Sequence, residues 1–332
     1  MFGLFRLILA LLVSQSHITG PINHPLLAPL TPHFNPGSFA VIGFYILSGF
    51  LMTAIIRTKF STARGVAIKN FYTHRLLRIF PLYYFYLFLT LILLIINRQF
   101  VFSFLGTLAH LTIIPLNYYQ LIHVNLQTHT VNPAITPAWS LAAELQFYLL
   151  IPFLITRPRL KLTLFITSLL SFILTAANLN EPFFATYIAP TGMLFAFLTG
   201  SYLWDYQTNR RGQEALLICL TWIILFAFLF YLFARHHTAA GVNAELTLGF
   251  LLLAPAISIL SKLRGGGAAD NFLGGLAYPV FLSHSLAQKI TPHPWPAYLL
   301  TLALSLAGYL IIDTPATILR HRLFPQRGKH RR

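Results

Sequence analysis

Three arginines, one histidine and one glutamate of this chain sit inside or against long apolar runs. Arg6 and His17 share the first run, Phe2–Ile18, with ten residues between them. At about 1.5 Å of helical rise per residue they lie about 16 Å apart, roughly half the hydrocarbon thickness of a bilayer. One therefore belongs near one membrane face and the other towards the opposite face. Glu144 is the only acid in Trp139–Ile155 and follows Trp139-Ser140 by one turn, and Arg75 and Arg78 stand three apart on one helical face. Ionisable groups at such positions are costly and mark a site by default. Guanidinium forks match phosphate oxygens, so Arg6, Arg75 and Arg78 suit a phosphate-bearing donor. An imidazole oriented by a carboxylate suits general-base work, so His17 and Glu144 are expected to pair at a similar depth. A phosphate clamp on one side and a base further out describe a transferase handling a long, phosphorylated donor. The plainer readings are arginines that snorkel to headgroups, an interfacial His17, and a Glu144 that serves helix packing.

The elements that position these groups follow from composition. The chain has 332 residues, 56% of them hydrophobic and 9% charged, with a mean hydropathy of +0.69. Soluble domains carry about 25% charged residues, so a soluble enzyme is excluded, as are disordered and collagen-like chains. An all-α, polytopic membrane bundle is expected. The net charge of +16 falls in short clusters between apolar runs, as topology requires, and does not point to nucleic acid. The single cysteine, Cys219, lies inside an apolar run and reads as a small packing residue; no zinc or Fe–S ligand set is present, and no metal is expected. No small-x-small cleavage site follows the first apolar run, which therefore reads as a retained span.

About ten spans are expected: Phe2–Ile18, Ser38–Ile56, Phe80–Ile96, Trp139–Ile155, Leu162–Ala177, Tyr187–Trp204, Ala215–Phe233, Leu246–Ser261, Phe272–Gln288 and Ala297–Leu319. Phe100–Leu121, broken by His110, Pro115 and Asn117, reads as re-entrant or interfacial. With both termini in the cytoplasm, all the lysines and arginines except Arg98, Arg235 and Lys289 fall inside, which predicts N-in and C-in. The loop Arg57–Phe80 reads as a basic amphipathic helix lying on anionic headgroups. The division expected is a membrane domain over residues 1–320 and a basic cytoplasmic tail over 321–332. No inverted repeat of the kind many transporters carry is visible.

The motifs add a resemblance that runs nearly end to end. Arg6-Leu-Ile-Leu-Ala-Leu-Leu-Val-Ser-Gln-Ser-His17 resembles the first-span Arg and His of the membrane-bound acyltransferase-3 family, whose members O-acylate lipopolysaccharide, exopolysaccharide and other envelope glycans. Phe44-Tyr-Ile-Leu-Ser-Gly-Phe-Leu51 is similar to that family's FFxLSGFL element, and Phe71-Tyr-Thr-His-Arg75-Leu-Leu-Arg78-Ile-Phe-Pro81 to its FxxxRxxRIxP element. Trp139-Ser-Leu-Ala-Ala-Glu144-Leu-Gln-Phe-Tyr148 resembles WSLxxExxFY, and Leu273-Gly-Gly-Leu-Ala-Tyr278-Pro-Val-Phe-Leu-Ser-His284 the late SYxxYLxH element. Two departures stand out: Gly3-Leu4-Phe5-Arg6 is one residue longer than the usual Gly-Leu-Arg start, and Asp313-Thr-Pro315 replaces Glu-x-Pro.

The resemblance implies an acyl-CoA donor, commonly acetyl-CoA, as co-substrate with no tightly bound cofactor. It implies an essential His17, arginines that handle the donor, and a supporting Glu144. The acceptor implied is an envelope polysaccharide or lipid-linked oligosaccharide, the setting a bacterial inner membrane, and the form a minimal membrane module with no hydrolase-like domain appended. Ser48 reads as a small residue for close helix approach beside Gly49, with a nucleophile as the lesser reading. Trp139 and Tyr148 are expected along the acceptor route or, equally, in an interfacial aromatic belt; His284 is expected at a depth similar to His17, as a site residue or equally as a core or interfacial histidine, and Asp313 paired with a bundle arginine. The competing class is a transporter or flippase for a glycolipid or small anion, which accounts for spans and intramembrane charges but not for the ordered motifs.

Overall fold

The computed structural model describes residues 2–22, 34–60, 64–128, 130, 132–177, 192–210, 212–234, 243–263 and 266–324. Within them every extended regular element is helical; the only β pairings are isolated bridges, Ile22 with Phe34 and Phe100 with Gln127. In chain order the helices are α1 Phe2–Ile18, α2 Pro36–Lys59, α3 Arg64–Ile96, α4 Phe104–Thr112, α5 Ala138–Leu154 and α6 Pro158–Ala177. There follow α7 Leu194–Asn209, α8 Gly212–Ala234, α9 Asn243–Lys262, α10 Ala268–Ile290, α11 Pro294–Gly308 and α12 Thr314–Leu323. A π-helical turn, Tyr309–Asp313, joins the last two, and a 3₁₀ turn, Ile114–Tyr118, follows α4.

Local chemistry sets several boundaries. Asn35 Oδ1 accepts from the Ser38 N–H and Pro36 opens α2, the usual solution for an orphaned helix start. The first N–H groups of α1 are met from another helix, Gly3 and Leu4 donating to the Asp270 carboxylate. Helix α4 stops after nine residues. Ile113 takes a φ of +66°, a region β-branched residues avoid, and Pro115 follows. Phe100–Leu121 thus contains no helix long enough to cross a membrane.

Among the described residues six helical stretches are long and apolar enough to do so: Pro36–Lys59, Ala67–Ile96, Pro158–Ala177, Gly212–Leu232, Asn243–Lys262 and Pro294–Leu323. Helices α1 and α5 are apolar but shorter. Of the expected span Tyr187–Trp204, residues 187–191 lie outside the described residues, as do residues 325–332 of the expected tail, whose start continues α12. The loop Arg57–Phe80 is not a separate surface helix. From Arg64 it runs unbroken into the third span as one 33-residue helix, which carries Arg75 and Arg78 against the bundle. Cys219 is exposed on α8 and so is not a packing residue. It shares that helix with exposed Leu216, Leu220, Ile223, Phe226 and Phe230, an apolar face that suits lipid.

The centre is built on α2, which packs against α1, α5, α7 and α9, while α1 lies along α10. Helix α7 is buried at every position from Leu194 to Leu203. Phe197 lies between Tyr45 and Phe147, with ring centroids 4.3 and 4.5 Å away, which locks α2, α5 and α7 together. Arg57 and Lys161 bind Asp205 at 3.4 and 2.8 Å, tying the C-terminal end of α2 to α6 and α7. The α2–α7 crossing depends on two glycines: a Cβ at Gly49 would overlap the Phe197 carbonyl, and one at Gly200 the Ile46 carbonyl. Gly200→Leu is expected to lower the thermal unfolding midpoint sharply or to abolish recovery of monodisperse protein. Gly212→Leu, where a Cβ meets nothing within 4 Å, should leave both unchanged.

Candidate functional site

Two cavities lie on either side of Val41 and Ser140, which line both. The one at the N-terminal end of α1, termed the inner cavity, is about 150 Å³ and holds all three arginines expected to act together, with Ser48, Glu144 and Tyr148. Arg6 comes from α1, Arg75 and Arg78 from α3, Ser48 from α2, and Glu144 and Tyr148 from α5. The backbone at Gly274 of α10 runs so close to α1 that a Cβ there would strike Arg6 and Gly3.

The charges of this cavity are unequally met. Arg78 Nη1 binds Asp313 at 2.5 Å, the pairing expected for that aspartate, and its guanidinium lies over the Tyr278 ring at 5.7 Å. Arg75 Nη2 lies 2.7 Å from His74 Nδ1, while its Nε is buried without a hydrogen-bond partner among the described residues. Arg6 uses Nε on the carbonyl of Phe2 at 3.2 Å, one turn back on its own helix. Among the described residues Glu144 is therefore the only carboxylate lining a cavity with three guanidiniums. Its Oε1 accepts from Ser48 Oγ at 2.5 Å and, by a very short contact, from the Tyr148 hydroxyl. Ser48 Oγ and the Tyr148 hydroxyl are 3.1 Å apart. The cavity so built is cationic on balance and enclosed by apolar helix faces, an environment in which charge-assisted hydrogen bonds are stronger than in water.

The one at the C-terminal end of α1, termed the outer cavity, is about 260 Å³ and contains His17. Its other lining groups among the described residues are uncharged, Ser16, Asn35, Ser38, Tyr119, Thr136 and Trp139 among them. Hydroxyls and amides beside an indole and a phenol suit a polyhydroxylated molecule with an apolar face. The segment that includes Asn132 and Thr136 is pinned at several points. The Ala134 N–H donates to His110 Nε2 at 2.9 Å, Gln127 Nε2 donates to the Asn132 carbonyl, and Lys289 Nζ holds the same Gln127 at 2.7 Å. The Thr136 N–H donates to Ser285 Oγ on α10.

The expected His17–Glu144 pair does not form. Glu144 bonds to Ser48 and Tyr148 in the inner cavity, whereas His17 Nδ1 lies 2.8 Å from His284 Nε2. The reason is packing: α1 runs along α10, which brings His284 to His17, while α2 and its Ser48 meet α5. Ser48 and Tyr148 line the inner cavity with Glu144 and the arginines, whereas Trp139 lines the outer one. Sequence reasoning missed Val41, for which no signal existed, and the significance of Ser140, which lay inside a motif already in view.

A family model described as an acyltransferase domain matches residues 2–314. The chain is 34% identical over 164 residues to an uncharacterized protein of Aquifex aeolicus, covering 48% of this chain and 74% of the relative. It is 29% identical over 146 residues to an uncharacterized protein of Haemophilus influenzae, covering 41% of this chain and 58% of the relative, less than two thirds of that protein. No solved structure matches the chain. A match that takes in α1 with Arg6 and His17, the α3 arginines, Glu144 and His284 shows what the chain is: a multi-pass membrane protein of the acyltransferase-3 family.

Proposed function

We propose that this acyltransferase moves an acyl group, acetyl in the simplest case, from cytoplasmic acyl-CoA to a hydroxyl of a cell-envelope glycan, within a bundle of about ten spans oriented N-in and C-in in a bacterial inner membrane. The observation that carries the reading is the pair of cavities meeting at Val41 and Ser140: one holds Arg6, Arg75 and Arg78, the other His17. The donor's phosphates engage the guanidiniums, of which Arg6 and Arg75 form no ion pair among the described residues. The pantetheine arm brings the thioester to the boundary. A sugar hydroxyl in the outer cavity gives its proton to His17 as its oxygen bonds to the thioester carbonyl carbon. The carbon–sulfur bond then breaks, the proton passes to the coenzyme A sulfur, and His17 returns to its neutral state. Glu144 offsets the arginine charge and holds Ser48 and Tyr148; it does not orient His17.

The test is transfer of radiolabelled acetyl from acetyl-CoA to envelope glycan in membranes that contain the protein. His17→Ala at matched expression is expected to lower the label by about 10²- to 10⁴-fold, the range general-base catalysis contributes. Undiminished label would remove His17 from the reaction. Free coenzyme A that never forms, with acetyl, succinyl or longer donors, would remove the acyl-transfer reading.

A further inference from the structure

Resting on the acyl-transfer reading, we infer that His284 is a positioning residue that holds His17 as the tautomer protonated on Nδ1, so that an unprotonated Nε2 meets the acceptor hydroxyl. The ordering starts at a backbone carbonyl. His284 Nδ1 lies 3.1 Å from the Val280 oxygen, one turn back on α10. A carbonyl only accepts, so Nδ1 carries the hydrogen and Nε2 of the neutral ring keeps a lone pair. That lone pair faces His17 Nδ1 at 2.8 Å, which must donate. The one nitrogen of His17 left to take a proton is Nε2.

The surroundings oppose the reverse polarity. His284 is fully buried, its ring within 21° of parallel to that of His17. No carboxylate is hydrogen-bonded to either ring among the described residues, so an imidazolium at His284 would be a buried charge without a counterion. The same device recurs at His110, whose Nδ1 lies 2.7 Å from the Gly106 carbonyl one turn back, while Nε2 accepts the Ala134 N–H. Around His17 the frame is fixed further: Gln288 Nε2 donates to the His17 carbonyl at 2.6 Å. In the reaction the hydroxyl proton goes to His17 Nε2, the Nδ1–H bond to His284 persists throughout, and the proton leaves with the coenzyme A sulfur.

The test uses the full chain, purified into nanodiscs, with His284→Leu and His284→Gln beside wild type. Loss of the acceptor in His284→Leu is expected to lower kcat by about 10- to 100-fold with the KM for acetyl-CoA unchanged within about twofold. His284→Gln, whose Oε1 accepts where Nε2 did, should recover most of that loss. Nitrogen-15 histidine spectra, with His17→Ala to identify the His17 signals, should show Nδ1 protonated and Nε2 bare in wild type. The wild-type spectrum decides the tautomer even if His284→Leu fails to fold. A wild-type His17 protonated on Nε2, or a glutamine variant as slow as the leucine one, would overturn the assignment. A wild type that has the Nδ1–H tautomer yet releases no coenzyme A with any donor would instead overturn the acyl-transfer reading and leave the tautomer standing.

Discussion

Val41→Phe is expected to cut acetyl transfer by at least about 100-fold while leaving acetyl-CoA binding within a few-fold of wild type. Val41 is one of two side chains common to both cavities, and only 5% of its surface is exposed. A phenyl ring there fills the boundary where, in the proposed reaction, thioester and hydroxyl meet, and displacement of reacting groups by about 1 Å already costs about 10²-fold. Overpacking at one buried position costs typically 1–3 kcal/mol, which a bundle this size should survive. The arginines lie on the inner side and are not touched by the change, so donor affinity should persist. Equilibrium binding of radiolabelled acetyl-CoA measured beside the transfer assay separates the two effects. Transfer near the wild-type rate would mean that the two cavities do not meet at Val41 during turnover. Val41→Ala works in the opposite sense and should admit acyl groups longer than acetyl.

The parts legible in the sequence were those governed by one helix at a time. Apolar runs gave the helices, a three-residue spacing put Arg75 and Arg78 on one face, and an intramembrane acid and histidine marked positions where something had to compensate. Which group compensates which is a property of how helices cross, and here the reading of Glu144 failed. Depth along the membrane normal placed Glu144 near His17, but depth says nothing about the lateral neighbour. The α1–α10 and α2–α5 contacts decide that, and the first depends on small residues such as Gly3 and Gly274, whose effect is visible only once two backbones are side by side. The continuous helix through Arg64–Ile96 was hidden for a related reason. Basic residues make a segment look interfacial, yet the packing of Phe71 and His74 against Phe60 draws it into the bundle. His284 and Asp313 were found as isolated polar residues, and both acquire roles only through partners 267 and 235 positions away.

Arg75→Ala should produce the other large effect, and in two separable parts. Arg75 lines the inner cavity with Glu144, its guanidinium lies 5.9 Å from the Tyr148 ring centre, and Tyr148 in turn bonds Glu144. Arg78 is already committed to Asp313. Arg75 makes no ion pair with Glu144 among the described residues, so removing it weakens the cationic field on that buried carboxylate, which Arg6 then meets alone, and the thermal unfolding midpoint should fall. It also removes a guanidinium with a buried, unpartnered Nε, and charge-assisted hydrogen bonds contribute about 1.5–3 kcal/mol each, or roughly 10- to 100-fold in donor affinity. The double change Arg75→Ala with Glu144→Gln isolates the first part, because a neutral amide keeps partners for Ser48 and Tyr148 without a charge to compensate. Thermal unfolding in detergent should show the stability of the double variant restored towards wild type while the KM for acetyl-CoA remains raised. If the second change restores neither, the two residues are not coupled across the cavity. If it restores both, the arginine serves the glutamate alone, and the donor's phosphates are held elsewhere. Glu144→Gln by itself then closes the cycle: with one negative charge gone from a cationic cavity, a polyanionic donor should bind at least as tightly as in wild type. A loss of kcat with unchanged donor affinity would instead return Glu144 to the role of orienting the base.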